Sequence, residues 1–109
     1  MAKWIRIVET RCRDKTREVE FNDWYSRVHL EDMLKCPVVV AARRYQRMDP
    51  KEGEAEYLAI YEIETEEIEK GMEAYTAHVQ SLREKGRISE LVEVVSLAIF
   101  KEVINCNTS

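Results

Sequence analysis

The segment LVEVVSLAIFKEVI, Leu91 to Ile104, carries apolar residues on both sides of an extended chain. As a strand it offers Leu91, Val95, Leu97 and Ile99 to one side and Val92, Val94, Ala98 and Phe100 to the other, because successive side chains alternate. Taken alone, the same run also suits a buried helix. Tyr57 to Ile63 (YLAIYEI) splits the same way, Leu58 and Ile60 from Tyr57, Ala59 and Tyr61. A sheet built from such strands needs apolar cover on both faces, since a soluble monomer rarely exposes more than a few hundred Å² of contiguous apolar surface.

The rest of the chain supplies cover for one face. Lys3 to Arg11 (KWIRIVETR) reads as a first strand, followed by the polar turn Arg13, Asp14, Lys15, Thr16. From Arg17, the residues Phe21, Trp24, Tyr25 and Val28 recur at three- and four-residue steps, which predicts a first helix, broken near His29 and ended at Cys36 by Pro37. Val38 to Met48 and Tyr57 to Ile63 flank the turn residues Asp49 to Gly53 and predict a hairpin. Ile68, Met72, Tyr75, Val79 and Leu82 form the stripe of a second helix, with Thr65 as N-cap, acidic residues in its first turn and Gly86 as its stop. The order β-α-β-β-α-β is that of an α+β, ferredoxin-like fold with an antiparallel sheet in strand order 4-1-3-2 and both helices on one face. A second copy of the chain is the simplest cover for the other face, and two such sheets close into a barrel. One of Val95 and Phe100 is then expected at the contact between subunits.

With 109 residues the chain suits one domain, 1–109, and 21 acidic against 17 basic residues give no field to attract nucleic acid or an anionic membrane. No apolar run reaches the ~18 residues of a membrane helix, and MAKWIRIVETR has no signal-peptide pattern, so a cytoplasmic protein is expected. Cys12, Cys36 and Cys106 are far apart and suit reduced, structural thiols. Three glycines leave no phosphate-cradling loop, neither histidine sits in a haem signature, and the glutamates near residue 65 lack the interleaving of a metal site. No cofactor and no metal are expected.

The segments FNDWYSRVHLEDML, CPVVVAARRYQRM and EYLAIYEIE, spanning roughly residues 4 to 63 in order and spacing, resemble the dimeric α/β-barrel superfamily. Within it they are similar to the small EthD-like proteins, whose first helix carries aromatics and then a histidine before a Pro-terminated segment and an A-R-R-Y strand. Two positions depart from that pattern: Glu31 stands where many relatives have proline, and Val38 follows Pro37 where they often have glycine. The resemblance implies a homodimer holding one pocket per subunit between the sheet and the first helix. Relatives include cofactor-free monooxygenases of aromatic polyketides, polyketide cyclases, haem-degrading enzymes and members with no assigned reaction.

Phe21, Tyr25 and His29 recur at four-residue steps, so one helical face presents two rings and then an imidazole. His29 is the candidate proton-transfer group and Tyr25 its catalytic partner; each also has a structural reading, as a capping histidine and a core tyrosine. Phe21 and Trp24 are expected as pocket wall or core, and Asn22 and Asp23 on the solvated side. On the first strand the helix layer is expected to take Ile5 and Ile7, leaving Arg6 to point between the two sheets toward Glu62, Glu93 or an anionic ligand group. Arg43 and Arg44 face opposite ways, with Arg44 assigned inward, and Tyr57 and Tyr61 complete the substrate-binding set. His78 is a boundary histidine with no ligand role. The implied function is a cofactor-independent monooxygenase, cyclase or isomerase acting on a small hydrophobic or aromatic metabolite. The alternative is a dimer of the same fold that only binds a ligand, or a scaffold whose cavity Trp24, Tyr57 and Tyr61 fill.

Overall fold

The computed structural model describes residues 1–108. Strand β1 (Ala2–Cys12) leads through a 3₁₀ turn at Lys15–Arg17 into the first helix, and β2 (Val39–Gln46) and β3 (Tyr57–Thr65) form the hairpin. The second helix precedes β4 (Val92–Lys101). All pairings are antiparallel and the strand order is β2-β3-β1-β4, the expected 4-1-3-2 read from the opposite edge. The chain therefore has the ferredoxin-like fold.

The first helix starts where the Asp14 carboxylate accepts hydrogen bonds from the Thr16 N–H (3.0 Å) and hydroxyl (2.7 Å), satisfying donors that a helix start leaves free. It runs as α1 (Glu18–Trp24), a π turn (Tyr25–His29) and α2 (Leu30–Leu34). The expected break near His29 does not occur. The chain absorbs one extra residue in a wider turn, closed by the Leu30 N–H donating to the Tyr25 carbonyl, and continues. Helix α3 (Ile68–Glu84) carries the predicted stripe: Tyr75 and Leu82 are buried and Met72 and Val79 pack on the core, with Gly86 at φ 71° ending it. Its N-cap is Glu67, not Thr65, because Thr65 is still paired in β3 and its hydroxyl donates to the Glu67 carbonyl at 3.1 Å.

The face assignment of β1 differs from expectation. Trp4, Arg6 and Val8 pair with Ile63, Tyr61 and Ala59, and those three residues of β3 are all 1% exposed or less under the helices. Since directly paired residues share a face, Arg6 lies on the helix side, and Ile5 and Ile7 lie on the open side with Leu58 and Ile60. The first strand reveals this when read at full length: Lys3, Glu9 and Arg11 share the parity of Ile5 and Ile7, whereas Val8, Thr10 and Cys12 share that of Arg6. Strand β4 also departs from plain alternation. A bulge opposite Glu9 and Thr10 inserts Val95, so Val92 and Val94 join Leu97 and Ile99 on the helix side while Ala98 and Phe100 remain on the open side.

Gly71 sits one turn into α3 against Thr65. A Cβ placed there would lie 2.8 Å from Thr65 Cγ2 and 3.1 Å from its Cβ and Oγ1. Helix propensity alone favours alanine over glycine by about 1 kcal/mol, but a branched strand residue has no room to yield. Gly71→Ala is expected to lower stability by about 1–2 kcal/mol in urea unfolding, and Gly71→Ala combined with Thr65→Ala to recover it. A more stable Gly71→Ala single variant contradicts this packing.

Candidate functional site

A cavity of about 370 Å³ lies on the helix side of the sheet. Its floor is Arg6, Val8 and Thr10 of β1 with Tyr61 of β3; Trp24, Tyr25 and His29 form the wall from the first helix, and Tyr75 and Val79 that from α3. Ile88 and Arg83 lie toward α3 and its following loop, and Val94 and Leu97 of β4 complete the lining. A second depression of about 380 Å³ lies on the open face around Ile5, Phe100 and the Arg43–Glu62 ion pair, where the two charges satisfy each other.

The π turn shapes the wall. In a turn closed between residues five apart, Trp24 and His29 come onto one side, and their rings stack at 4.8 Å with 23° between planes. Tyr25 meets the imidazole edge-on at 5.0 Å and Tyr61 does so at 6.5 Å. The Tyr25 and Tyr61 hydroxyls share a hydrogen bond at 3.3 Å across the helix–sheet boundary. The Trp24 indole N–H donates to the Arg87 carbonyl at 2.9 Å, and the Arg87 guanidinium grips the buried Asp32 carboxylate with bonds of 2.9 and 3.0 Å. His78 Nε2 lies 2.7 Å from the Asp32 carbonyl oxygen and takes no part in the cavity.

Arg44 points inward beneath the helix but does not reach the cavity. Its guanidinium lies 4.3 Å from the ring centre of Tyr25, 4.8 Å from Tyr57 and 5.6 Å from Phe21, with Nη1 donating to Asn22 Oδ1 and Ser26 Oγ, both at 3.0 Å. Three aromatic faces thus stand where a carboxylate commonly would. Asn22, expected in solvent, is half-buried and also donates to the Tyr57 hydroxyl at 3.0 Å. Arg43 is on the open face with Glu62. Glu93, the other partner foreseen for Arg6, holds Arg11 at 2.9 Å. Arg6 faces the Tyr75 ring at 5.8 Å.

Burial dominates the titration of the site. It pushes the His29 imidazole down to about 4; the Asp32 carboxylate pulls up against this, and Arg44 and His78 push the same way as burial. His29 is therefore neutral near pH 7. Burial also raises Tyr25, Tyr61 and Tyr75, keeping all three phenols protonated. Arg87 holds Asp32 below the usual carboxylate range. Three polar atoms on the cavity lining are buried without a hydrogen-bond partner among the described residues: Arg6 Nε, Thr10 Oγ1 and His29 Nδ1.

Of the residues singled out in the sequence, Arg6, Trp24, Tyr25, His29 and Tyr61 meet around the cavity, whereas Phe21, Arg44 and Tyr57 pack behind it. Trp24 and Tyr61 stand at the sides of an open space and do not fill it. Thr10, Tyr75 and Arg83 were not singled out as site residues. Thr10 shares the parity of Arg6, a signal available in the strand itself, but the approach of α3 is a tertiary fact with no local signature. Among the described residues, no group of three or more His, Cys, Asp or Glu side chains is placed to hold a metal ion. No described helix is long and apolar enough to cross a membrane.

No protein-family model matches the sequence. No curated protein matches it either. Solved structures do match. An ethyl tert-butyl ether D (EthD) family protein from Bacillus halodurans shares 16% identity over 94% of this chain and 100% of its own, with a TM-score of 0.57. The heme-degrader MhuD from Mycobacterium tuberculosis shares 13% over 95% and 99%, at 0.65. A dimeric ferredoxin-like protein from an uncultured marine organism shares 12% over 97% and 100%, at 0.65. The chain shares the ferredoxin-like fold of these structures.

The lowered imidazole has a measurable consequence. An unfolded chain takes up a proton at His29 near the ordinary value of 6.5, whereas the folded chain does so only near 4. Stability is therefore unaffected above pH 6.5 and falls between about 6.5 and 4, by about 2–3 kcal/mol. Urea midpoints measured across that window are expected to show this limb in the native protein and to lose it in His29→Phe. The separate loss from the Asp32–Arg87 pair falls below pH 3.8, where an unfolded aspartate is protonated.

Proposed function

We propose that this protein is a homodimer that encloses a small hydrophobic or aromatic metabolite in the cavity beside its first helix and moves a proton on it without a cofactor, with His29 as the transferring group. One observation carries the reading. A neutral imidazole with a buried, unpartnered nitrogen stands at the edge of a cavity of about 370 Å³ lined by Trp24, Tyr25, Tyr61 and Tyr75 on one part and by aliphatic residues such as Val79, Ile88 and Leu97 on another. Such a cavity suits a ring system, and a buried acceptor beside it suits an acidic C–H or phenol. In the proposed step the substrate C–H proton passes to the imidazole and the bonding pair moves onto an adjacent carbonyl oxygen, giving an enolate. The Arg6 cation would then stabilise the oxygen; return of the proton to the same carbon completes an exchange, and where a neighbouring C=C extends the enolate to a dienolate, return at its far carbon shifts the double bond and completes an isomerisation. The fold is shared with a heme-degrader, which supports an enzyme reading at the level of architecture alone. A second reading, a binder that only holds its ligand, is favoured by the low basicity of His29.

The homodimer part rests on the open face. Ile5, Ile7, Leu58 and Ile60 lie there with Ala98 and Phe100, and Phe100 remains 55% exposed. A second copy meeting this face would bury it, and a dimeric ferredoxin-like protein shares the fold. Sedimentation equilibrium at micromolar concentration is expected to give twice 12.9 kDa, and Phe100→Glu to shift it toward the monomer. A native protein that stays at one chain mass contradicts the dimer.

The proton-transfer part is tested with 2-tetralone, a bicyclic ketone with acidic C–H bonds, by following deuterium uptake from D₂O by NMR. The native protein is expected to accelerate exchange, and His29→Gln to lose about 100-fold while still binding the ketone. Binding without accelerated exchange supports the holding role. Equal exchange by His29→Gln and the native protein removes His29 from the reaction.

A further inference from the structure

The cavity reverses the sign of the molecule around it. The chain has 21 acidic and 17 basic residues, yet the cavity lining includes Arg6, Arg83 and His29 and no aspartate or glutamate. Arginines elsewhere are neutralised: Arg11, Arg17, Arg27, Arg43, Arg47 and Arg87 each stand within 4.0 Å of a carboxylate. Among the described residues Arg6 and Arg83 have no such partner, and Arg6 also has its Nε buried without an acceptor. Arg44, likewise without a carboxylate, is closed in by three rings, and Arg13 is exposed. Arg6 alone combines half-buried, unneutralised charge with open space, and Arg83 stands exposed at the rim of the same cavity. A half-buried guanidinium left without a counter-charge is costly, and the planar fork of an arginine matches a carboxylate through two parallel bonds.

We infer that the ligand of this cavity is an aromatic carboxylate, its ring held between Trp24, Tyr61 and Tyr75 and its carboxylate on Arg6, with Arg83 supplying a second positive charge. A phosphate is a poorer fit, because the lining has no glycine and no run of free backbone N–H groups to cradle three oxygens. The inference rests on the reading of the cavity as a ligand pocket and adds the charge of what enters it.

The experiment compares two probes of nearly equal size, 2-naphthoate and the neutral 2-naphthamide, by titration calorimetry on the full chain. The carboxylate is expected to bind at least about ten-fold more tightly, with the gap narrowing as sodium chloride is raised. Arg6→Gln is expected to bring the two probes to nearly the same affinity, and Arg6→Lys to keep part of the preference. Equal binding of both probes by the native protein overturns the carboxylate assignment and leaves the pocket standing. A preference that persists in folded Arg6→Gln overturns the role of Arg6. If neither probe binds, the pocket reading falls along with this one. Should Arg6→Gln fail to fold, the native comparison and its salt dependence decide.

Discussion

Two helices cannot roof four strands, and the rest of this molecule follows from that shortage. On the side facing the helices, Ala59, Tyr61 and Ile63 of β3 are 1% exposed or less, while Leu97 of β4 is 54% exposed on the same side. The helices sit over β3 and the inner part of β1, and the cavity occupies the gap where the roof thins toward β4. A fully covered sheet would have turned that volume into core. The same shortage leaves the opposite side, with Ile5, Ile7, Leu58 and Ile60, without a helix over it and only partly buried. The cavity and the open apolar face are thus two outcomes of one geometric limit.

What keeps the gap from collapsing is the rigidity of its aromatic margin. Phe21 packs edge-on against Tyr25 at 5.9 Å and touches Tyr57 at the same distance, and Tyr61 meets Tyr75 at 6.1 Å. Rings have few rotamers and hold their places at little further entropic cost. Arg44 binds three of them from below, a contact worth about 2 kcal/mol or more when desolvated. A leucine core of equal volume could close over the space; a ring of aromatics tied together by the Tyr25–Tyr61 hydroxyls and the Trp24–Arg87 bond has less freedom to do so.

The sequence announces the elements more clearly than their faces. Strand and helix identities follow from periodicity that each segment carries within itself, as the stripe from Ile68 to Leu82 does. Facing is a contest between both sides of a strand. On β1 the two isoleucines argue for one side and the three charges sharing their parity for the other, and the charges prevail: the arginine between the isoleucines lies under the helices, where the Tyr75 ring faces it. On β4 a bulge at Val95 shifts the alternation, and nothing in LVEVVSL marks it. The histidine wall was legible because Tyr25 and His29 share a face in both α and π geometry. The part played by α3 was not, because Tyr75 reads as core until the distance between helices is known.

The π turn at Tyr25–His29 also bears on how this chain is compared with others. It contains one residue more than an α-helical turn covering the same path, so a relative whose first helix is purely α aligns up to Trp24 and again from Leu30 only with a one-residue gap inside the helix. Alignment methods penalise gaps within helices. Without that gap, Leu30 to Leu34 and the buried Asp32 and Met33 are matched one position out of step. Superposition in space carries no such penalty. Homology in this part of the chain is therefore better traced by structure than by sequence, and a histidine one place away in a relative's sequence can still occupy the same point in its fold.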